Sequence, residues 1–318
     1  MVIAVLGATG QLGSELLELW GEAAVGLTRE ELDLSDPSTI EATLETIAPE
    51  GVVNAAAYNQ VDKAESEPAA AMLVNAQGPR QLARWCASRG VRLVHVSTDF
   101  VFGSDTSRSE PYAESDETGP LGAYALSKLG GELYVRSGCP DHLVVRTCGL
   151  YGHAALRRAG GGNFVETMLR LESAGGPIRV VEDQRCTPTS ASVLAAAIDA
   201  LLESGCRGLY HATCGGSTTW CEFAREIFER SELDVEVEAI TTSATVTVEE
   251  RPVSRVEILT KSVTLRVNDE VQMQGVARDD QGFILEGRML AWSVADDALL
   301  AIDPMTGLIR GLAPGMTE

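Results

Sequence analysis

Over residues 1–200, short runs that are apolar at every position alternate with longer stretches in which apolar residues recur every third or fourth place. Val2–Leu6 predicts a strand apolar on both faces, and Leu12–Trp20 a helix. Ala24–Leu27 predicts a short strand, and Pro37–Ile47 a helix behind a Ser35/Asp36 cap signal. Gly51–Ala57 follows as a strand, Pro68–Arg89 as one long helix, Val91–Ser97 as a strand, Tyr124–Ser137 as a helix and Leu143–Arg146 as a strand. Strands buried on both faces and separated by helices imply a doubly wound α/β architecture around a parallel sheet. Gly160–Gly162 reads as a flexible connection. Beyond it the pattern predicts a helix over Phe164–Glu172, a strand over Ile178–Val181 and a helix over Ala191–Glu203.

Near Arg251-Pro252 the apolar period drops to two. Val256/Ile258, Val263/Leu265/Val267, Val271/Met273 and Leu290/Trp292/Val294 alternate with polar residues. Turn signals stand between them at Asn268-Asp269, Asp279–Gly282 and Asp303–Gly307. Short strands with turns at this spacing predict a small all-β sandwich. The expected division is therefore 1–252 and 253–318, with a smaller substrate-binding part mainly within 150–252.

Composition narrows the function classes. Hydrophobic residues make up 45% of the chain, enough for an ordinary core, so general disorder is excluded. The formal net charge of −21 repels phosphate backbones and argues against nucleic acid as a partner. Only six basic and ten acidic residues fall from Val253 onward, so the acidity is spread along the chain and does not form a tail. No run reaches the length of a membrane span. The N-terminus passes straight into strand and glycine loop without the pattern of a signal peptide, and a cytoplasmic location is expected. The seven cysteines, Cys86, Cys139, Cys148, Cys186, Cys206, Cys214 and Cys221, lack metal-ligand spacing and read as reduced thiols.

Chemistry enters with Gly7-Ala8-Thr9-Gly10-Gln11-Leu12-Gly13, a Gly-x-x-Gly-x-x-Gly loop between the first strand and the first helix. Glycines there allow a tight turn and let backbone N–H groups approach a pyrophosphate at the helix N-terminus, the mark of a Rossmann-type dinucleotide site. The second strand ends in Gly26-Leu27-Thr28-Arg29, without the carboxylate that would hold a ribose 2′-hydroxyl. Arg29 suits a 2′-phosphate, which leans the reading to NADPH over NADH. Asp33 and Leu34 are expected near the adenine, and Ala57, Tyr58 and Asn59 near the middle of the cofactor.

Tyr124 and Lys128 lie four residues apart, on one helix face. An ammonium beside a phenol is expected to lower its proton affinity from the ordinary value near 10. Tyr124 would then protonate a carbonyl oxygen as hydride reaches its carbon, while Lys128 holds the nicotinamide ribose. Val94–Asp99 ends an apolar strand in hydroxyls, placing Thr98 to bond the same carbonyl. His95 reads as a core histidine and Glu15 as a solvated helical acid. No metal cluster is evident.

Together these residues resemble the dTDP-4-dehydrorhamnose reductase family of extended short-chain dehydrogenases/reductases. The resemblance runs over residues 1–252. It is carried by Gly7–Gly13 with Glu15, Asn54–Tyr58, Val61–Glu65, Val74–Ala76, Ser97–Phe102, Tyr124–Lys128 with Gly131-Glu132, and Arg146-Thr147. Asn163–Val165, Asp183-Gln184, Thr187–Thr189 and Gly208–His211 complete it. It implies NADPH- or NADH-dependent reduction of the C4 ketone of a dTDP-4-dehydro sugar to dTDP-β-L-rhamnose. Tyr124 would be the proton donor and Lys128 its partner, with Thr98, Asp99 and Arg146 at the nucleotide-sugar substrate. Gly7, Gly10, Gln11, Leu12, Gly13, Arg29, Asp33, Leu34, Ala57, Tyr58 and Asn59 would lie at the cofactor. Arg157, Arg158 and Arg185 are further basic residues available to an anionic substrate. A homodimer is compatible with the resemblance.

Three departures stand out. Arg146-Thr147-Cys148-Gly149 has glycine where the family usually places a tryptophan beside the sugar nucleotide. Some members bind magnesium through glutamates; Glu15 matches one, but Ser192 stands where another is expected. The family's C-terminal helix is replaced after Glu250-Arg251-Pro252 by the β segment, which resembles a group 2 bacterial Ig-like domain lacking its last strand. Ser262–Leu265, Ala277–Gly282, Trp292-Ser293 and Thr306–Ile309 carry that second resemblance. A gene fusion or a sequence-assembly artefact accounts for such a join. The alternative to an active reductase is a catalytically impaired member of the fold with a regulatory or interaction role.

Overall fold

The structure is a computed structural model. It describes residues 2–105, 108–154, 162–241, 255–259, 264–278, 280, 282, 284, 290–306 and 308–313. The chain divides into two compact units, Met1–Thr242 and Ser243–Glu318. The change of texture at Arg251-Pro252, the glycine run before Gly162, Arg157 and Arg158 lie outside the described residues.

The first unit opens with β1 (Ile3–Leu6), α1 (Gln11–Trp20), β2 (Ala24–Leu27), α2 (Pro37–Ile47) and β3 (Gly51–Asn54). Asp36 caps α2, accepting from Ser38 N–H, with Pro37 at the first helical position. The strand expected to reach Ala57 stops at Asn54, and Ala55–Gln60 forms a loop at its carboxyl end. α3 (Val61–Ser66) follows. The helix expected as one piece over Pro68–Arg89 is helical throughout but divided: α4 (Pro68–Met72), a π turn over Leu73–Gln77, and α5 (Gly78–Arg89). Then come β4 (Arg92–Thr98), α6 (Ala123–Gly138), β5 (His142–Thr147), β6 (Leu150–Tyr151), α7 (Phe164–Glu172), β7 (Ile178–Val181), β8 (Arg185–Cys186), β9 (Thr189–Ser190), α8 (Ala191–Glu203), β10 (Gly208–His211), β11 (Thr218–Thr219), α9 (Trp220–Arg230) and β12 (Val237–Ile240).

Six strands form one sheet in the order β10-β5-β4-β3-β1-β2, and every pairing in it is parallel. The alternation along β1 divides the core. Ala4 and Leu6 join Ile40, Leu44, Leu82 and Val135 of α2, α5 and α6 on one face. Ile3 and Val5 join Leu12 and Leu16 of α1 and Leu194 and Ile198 of α8 on the other. Side chains alternate across a strand, so each face can bury its own helix layer. The chain leaves β1 for β2 on one side and returns to β3 on the other. That reversal opens a crevice at the carboxyl ends of β1 and β3, where ligands bind in such sheets. A smaller cluster of Met168, Ile178, Val180, Ala224, Ile227 and Phe228 joins α7, β7 and α9.

In the second unit, β13 (Arg255–Ile258) and β14 (Glu270–Gln272) fall where the sequence predicts them. Leu290/Trp292/Val294 alternates in sequence but forms no strand, and neither does the described part of Val263–Val267. The partners are instead β15 (Gly275–Arg278), β16 (Leu300–Ile302) and β17 (Leu308–Gly311), which make two small antiparallel sheets, β13-β15 and β14-β17-β16. Among the described residues of the whole chain, no helix is long and apolar enough to cross a membrane.

Candidate active site

The crevice at the switch between β1 and β3 is a cleft of about 740 Å³. Its walls bring together Gly7, Gly10, Gln11, Leu12, Arg29, Asp33, Leu34, Ala57, Tyr58 and Asn59, all expected at the cofactor from sequence. The glycines have distinct jobs. Gly7 sits at φ +80°, and a Cβ there would stand 2.9 Å from Ala56 N. Gly13 lies beneath the cleft; a Cβ on it would fall 2.2 Å from Gly7 O, so it lets α1 close on the loop. The first turn of α1 contains no acidic residue, leaving its N-terminus open to an anion.

Elsewhere on the cleft wall, Arg29 Nε donates to Asp33 Oδ2 across 3.2 Å, and its side chain remains largely exposed. Burial works to raise the Asp33 carboxyl, but hydrogen bonds from Ser35 and the Arg29 guanidinium hold it below its ordinary value. Gln11 reaches the small part of the unit: Asn163 Nδ2 donates to Gln11 Oε1 at 2.8 Å, while Asn163 Oδ1 caps α7. The sequence singled out Asn163 only as part of a motif. Its place before the amphipathic run 164–172 is the N-cap signal that marks it.

Val96 lines the far end of the cleft. Its carbonyl accepts from Lys128 Nζ at 2.7 Å. Two residues on along β4, the Thr98 hydroxyl donates to Asp99 Oδ1 at 3.1 Å. The Tyr124 hydroxyl adjoins Thr98, whose interaction with it favours the ionised phenol. Tyr124, Thr98 and Asp99 thus form one buried polar group, and the Cys148 thiol also bonds Asp99. Phe100 packs edge-on against the Tyr124 ring, with centroids 5.7 Å apart. α6 has no capping side chain of its own; Glu65 Oε1 accepts from Ala123 N–H at 2.7 Å and fixes its start.

Proton affinities depart from expectation at one point. The Tyr124 phenol is pushed up to about 12, by burial first and by the Asp99 charge second, with the Thr98 bond opposing. Lys128 does not offset this rise; its ammonium donates to the Val96 carbonyl. Burial brings Lys128 down to about 8, against the upward influence of Glu132. Asp99 is raised by burial, opposed by its bonds from Cys148 and Thr98.

Arg146 is placed differently from a side chain open to substrate. It is 3% exposed and makes a double hydrogen bond to the fully buried Glu132, at 2.9 and 2.7 Å. Its guanidinium lies over Phe102, and Phe102 stacks on Tyr112 at 4.0 Å. Its charge is thus neutralised inside the protein and steadies the loop before α6. Arg185 is exposed, with Nη2 donating to Ser217 Oγ at 3.3 Å. His95 is buried, as expected of a core histidine, with Nδ1 3.1 Å from Asn54 Nδ2. Gly149 stands at φ +51°, and a Cβ there would lie 3.1 Å from the Trp220 ring. Ser192 Oγ lies 2.8 Å from Ser190 Oγ. Among the described residues no group of three His, Cys, Asp or Glu side chains is placed to hold a metal ion.

The sequence matches the family described as the RmlD substrate binding domain over residues 1–268. It is 43% identical over 233 residues to the dTDP-4-dehydrorhamnose reductase of Streptomyces griseus, covering 70% of this chain and 74% of that protein. The Mycobacterium tuberculosis enzyme of the same name is 42% identical over 238 residues, covering 73% and 76%. The chain belongs to the dTDP-4-dehydrorhamnose reductase family. The solved dTDP-4-dehydrorhamnose reductase of Bacillus anthracis, in complex with NADP, superimposes with a TM-score of 0.70 at 34% identity, covering 76% of this chain and 85% of that one. That of Clostridium acetobutylicum gives 0.71 at 36%, covering 76% and 84%.

Proposed function

We propose that this chain reduces the C4 ketone of dTDP-4-dehydro-β-L-rhamnose with NADPH or NADH to give dTDP-β-L-rhamnose. The observation that carries the reading is the buried group Tyr124, Thr98 and Asp99, two residues along β4 from Val96, which lines a glycine-rich cleft. The cofactor supplies hydride to the ketone carbon. Gly7, Gly10, Gln11 and Leu12 receive the pyrophosphate, with Gly13 allowing the approach; Arg29, Asp33 and Leu34 face the adenine end. Ala57, Tyr58 and Asn59 line the middle. Tyr124 gives its proton to the developing C4 oxygen, which Thr98 also holds. A phenol that keeps its proton to about 12 is fully protonated at neutral pH, the state an acid requires. Lys128, whose Nζ donates to the carbonyl of the cleft-lining Val96, holds the nicotinamide ribose. Without substrate the Thr98 hydroxyl donates to Asp99; with substrate bound it turns that proton to the C4 oxygen.

The cytoplasm is the compartment that fits such a reaction and seven free thiols. For the second unit we read a small Ig-like β-sandwich over 253–318 following the reductase unit 1–252; its antiparallel sheets and the alternation around Trp292 support this.

The test is NADPH oxidation by the purified chain supplied with enzymatically generated dTDP-4-dehydro-L-rhamnose. Product formation supports the assignment. Cofactor binding without turnover overturns it in favour of an impaired, regulatory member of the fold.

A further inference from the structure

Two of the seven cysteines, far apart in sequence, meet beside this polar group. Cys148 is the first residue past β5, and Cys186 lies on β8. The segments that carry them run side by side, Leu150 pairing with Thr189 and Thr189 N–H donating to Gly149 O at 3.3 Å, so the two thiols are close enough to influence one another. Thr187 N–H donates to Cys148 Sγ at 3.4 Å, which fixes that sulfur against the backbone adjoining Cys186. Cys148 also bonds Asp99, whose carboxylate takes the Thr98 proton.

We propose that Cys148 and Cys186 are a redox-sensitive dithiol, converted by a small hydroperoxide into a disulfide that slows the reductase. The modification stands on the dithiol geometry alone; its effect on turnover rests on the function proposed above. The Cys186 thiolate attacks the peroxide, the O–O bond breaks, and the released alkoxide or hydroxide takes up a proton, leaving a sulfenic acid. Cys148 sulfur then attacks that sulfur. The S–O bond breaks, and hydroxide departs as water with the Cys148 proton. Two thiols lose two electrons and two protons, and the peroxide accepts both. The order of attack follows from the surroundings. When Cys186 loses its proton, the single Cys148 S–H turns from Asp99 to the new thiolate; this and the nearby Arg185 favour the Cys186 thiolate, while burial and the Asp99 charge oppose it. Cys86 and Cys139 are also close enough to influence one another. There the Cys139 thiol is directed to the carbonyls of Val91 and Asp141, and burial holds both thiols protonated. Cys148 is 5% exposed and Cys186 9%, which favours small oxidants over bulky thiol reagents.

In the disulfide Cys148 has no proton left for Asp99. Losing one hydrogen bond to a carboxylate predicts a fall in turnover of about tenfold.

The experiment treats the full chain with hydrogen peroxide and follows intact mass, a non-reducing peptide map, cofactor binding and NADPH oxidation. Expected are a loss of about two mass units, a cross-linked peptide pair containing Cys148 and Cys186, slower turnover with unchanged cofactor affinity, and recovery on addition of dithiothreitol. Cys186→Ser should turn over like the parent and resist peroxide. A different cross-link, or sulfur oxides without one, overturns the proposal. The expected cross-link with undiminished turnover overturns its regulatory half. A parent chain inactive before treatment defeats the reductase assignment, while the peptide map still decides the disulfide.

Discussion

Burial moves the two ionisable groups of α6 in opposite directions, Tyr124 up to about 12 and Lys128 down to about 8. The first change preserves an acid; the second lowers the cost of enclosing an amine. Replacing Tyr124 with Phe keeps the ring that packs on Phe100 and removes only the hydroxyl. We expect kcat to fall by about 10²- to 10⁴-fold, with cofactor affinity in a fluorescence titration nearly unchanged. Undiminished turnover rejects the acid role. Arg29 belongs to the other end of the cleft. Its guanidinium pairs with Asp33 while remaining largely exposed, so its charge is available to a 2′-phosphate. One charge-assisted hydrogen bond predicts that Arg29→Ala lowers the preference for NADPH over NADH by about tenfold. An unaltered ratio of the two dissociation constants shows that another group reads the phosphate.

The element that joins these ends is the π turn between α4 and α5. A single residue added to a helical turn redirects side chains, and such turns gather at functional sites. Here it turns Asn75 inward. Asn75 Oδ1 accepts from Tyr58 N–H at 2.8 Å, and Nδ2 donates to Tyr58 O and Ser127 Oγ, both at 2.9 Å. One buried amide therefore holds the cofactor loop to the helix of Tyr124 and Lys128. Asn75→Ala leaves these partners unpaired, at roughly 1–3 kcal/mol for each buried group. We expect lower stability together with weaker cofactor binding; stability lost with binding intact confines Asn75 to a structural part. This turn was not legible beforehand, because the apolar spacing of Pro68–Arg89 continues across it. Local signals are legible in the sequence: the Asp36 cap of α2, the glycine loop, and the strands apolar on both faces. α9 carries a signal too, since Thr219 and Glu222 form a capping box ahead of Phe223, Ile227 and Phe228 at helical spacing. The burial of Arg146 by Glu132 and the meeting of Cys148 with Cys186 depend on contacts between distant segments, which periodicity does not record.

At the scale of the whole molecule, the question is where the reductase unit ends. Compactness places the boundary after Thr242, whereas the family match continues to residue 268. The core clusters favour the earlier point. Among the described residues, the two helix layers around the six-stranded sheet and the small cluster of α7, β7 and α9 are built from the first unit. The last strand they require, β12, pairs with β7 through Val237–Ile240. A chain cut after Thr242 keeps every described residue of these apolar layers and every described residue of the cleft wall. We expect that truncated chain to unfold in one cooperative transition, with a Tm within a few degrees of the first-unit transition in the full chain, and to bind NADPH equally well. If residues 1–242 fail to fold while 1–268 succeed, β13 and its neighbouring residues belong to the reductase unit, and the second unit is correspondingly smaller.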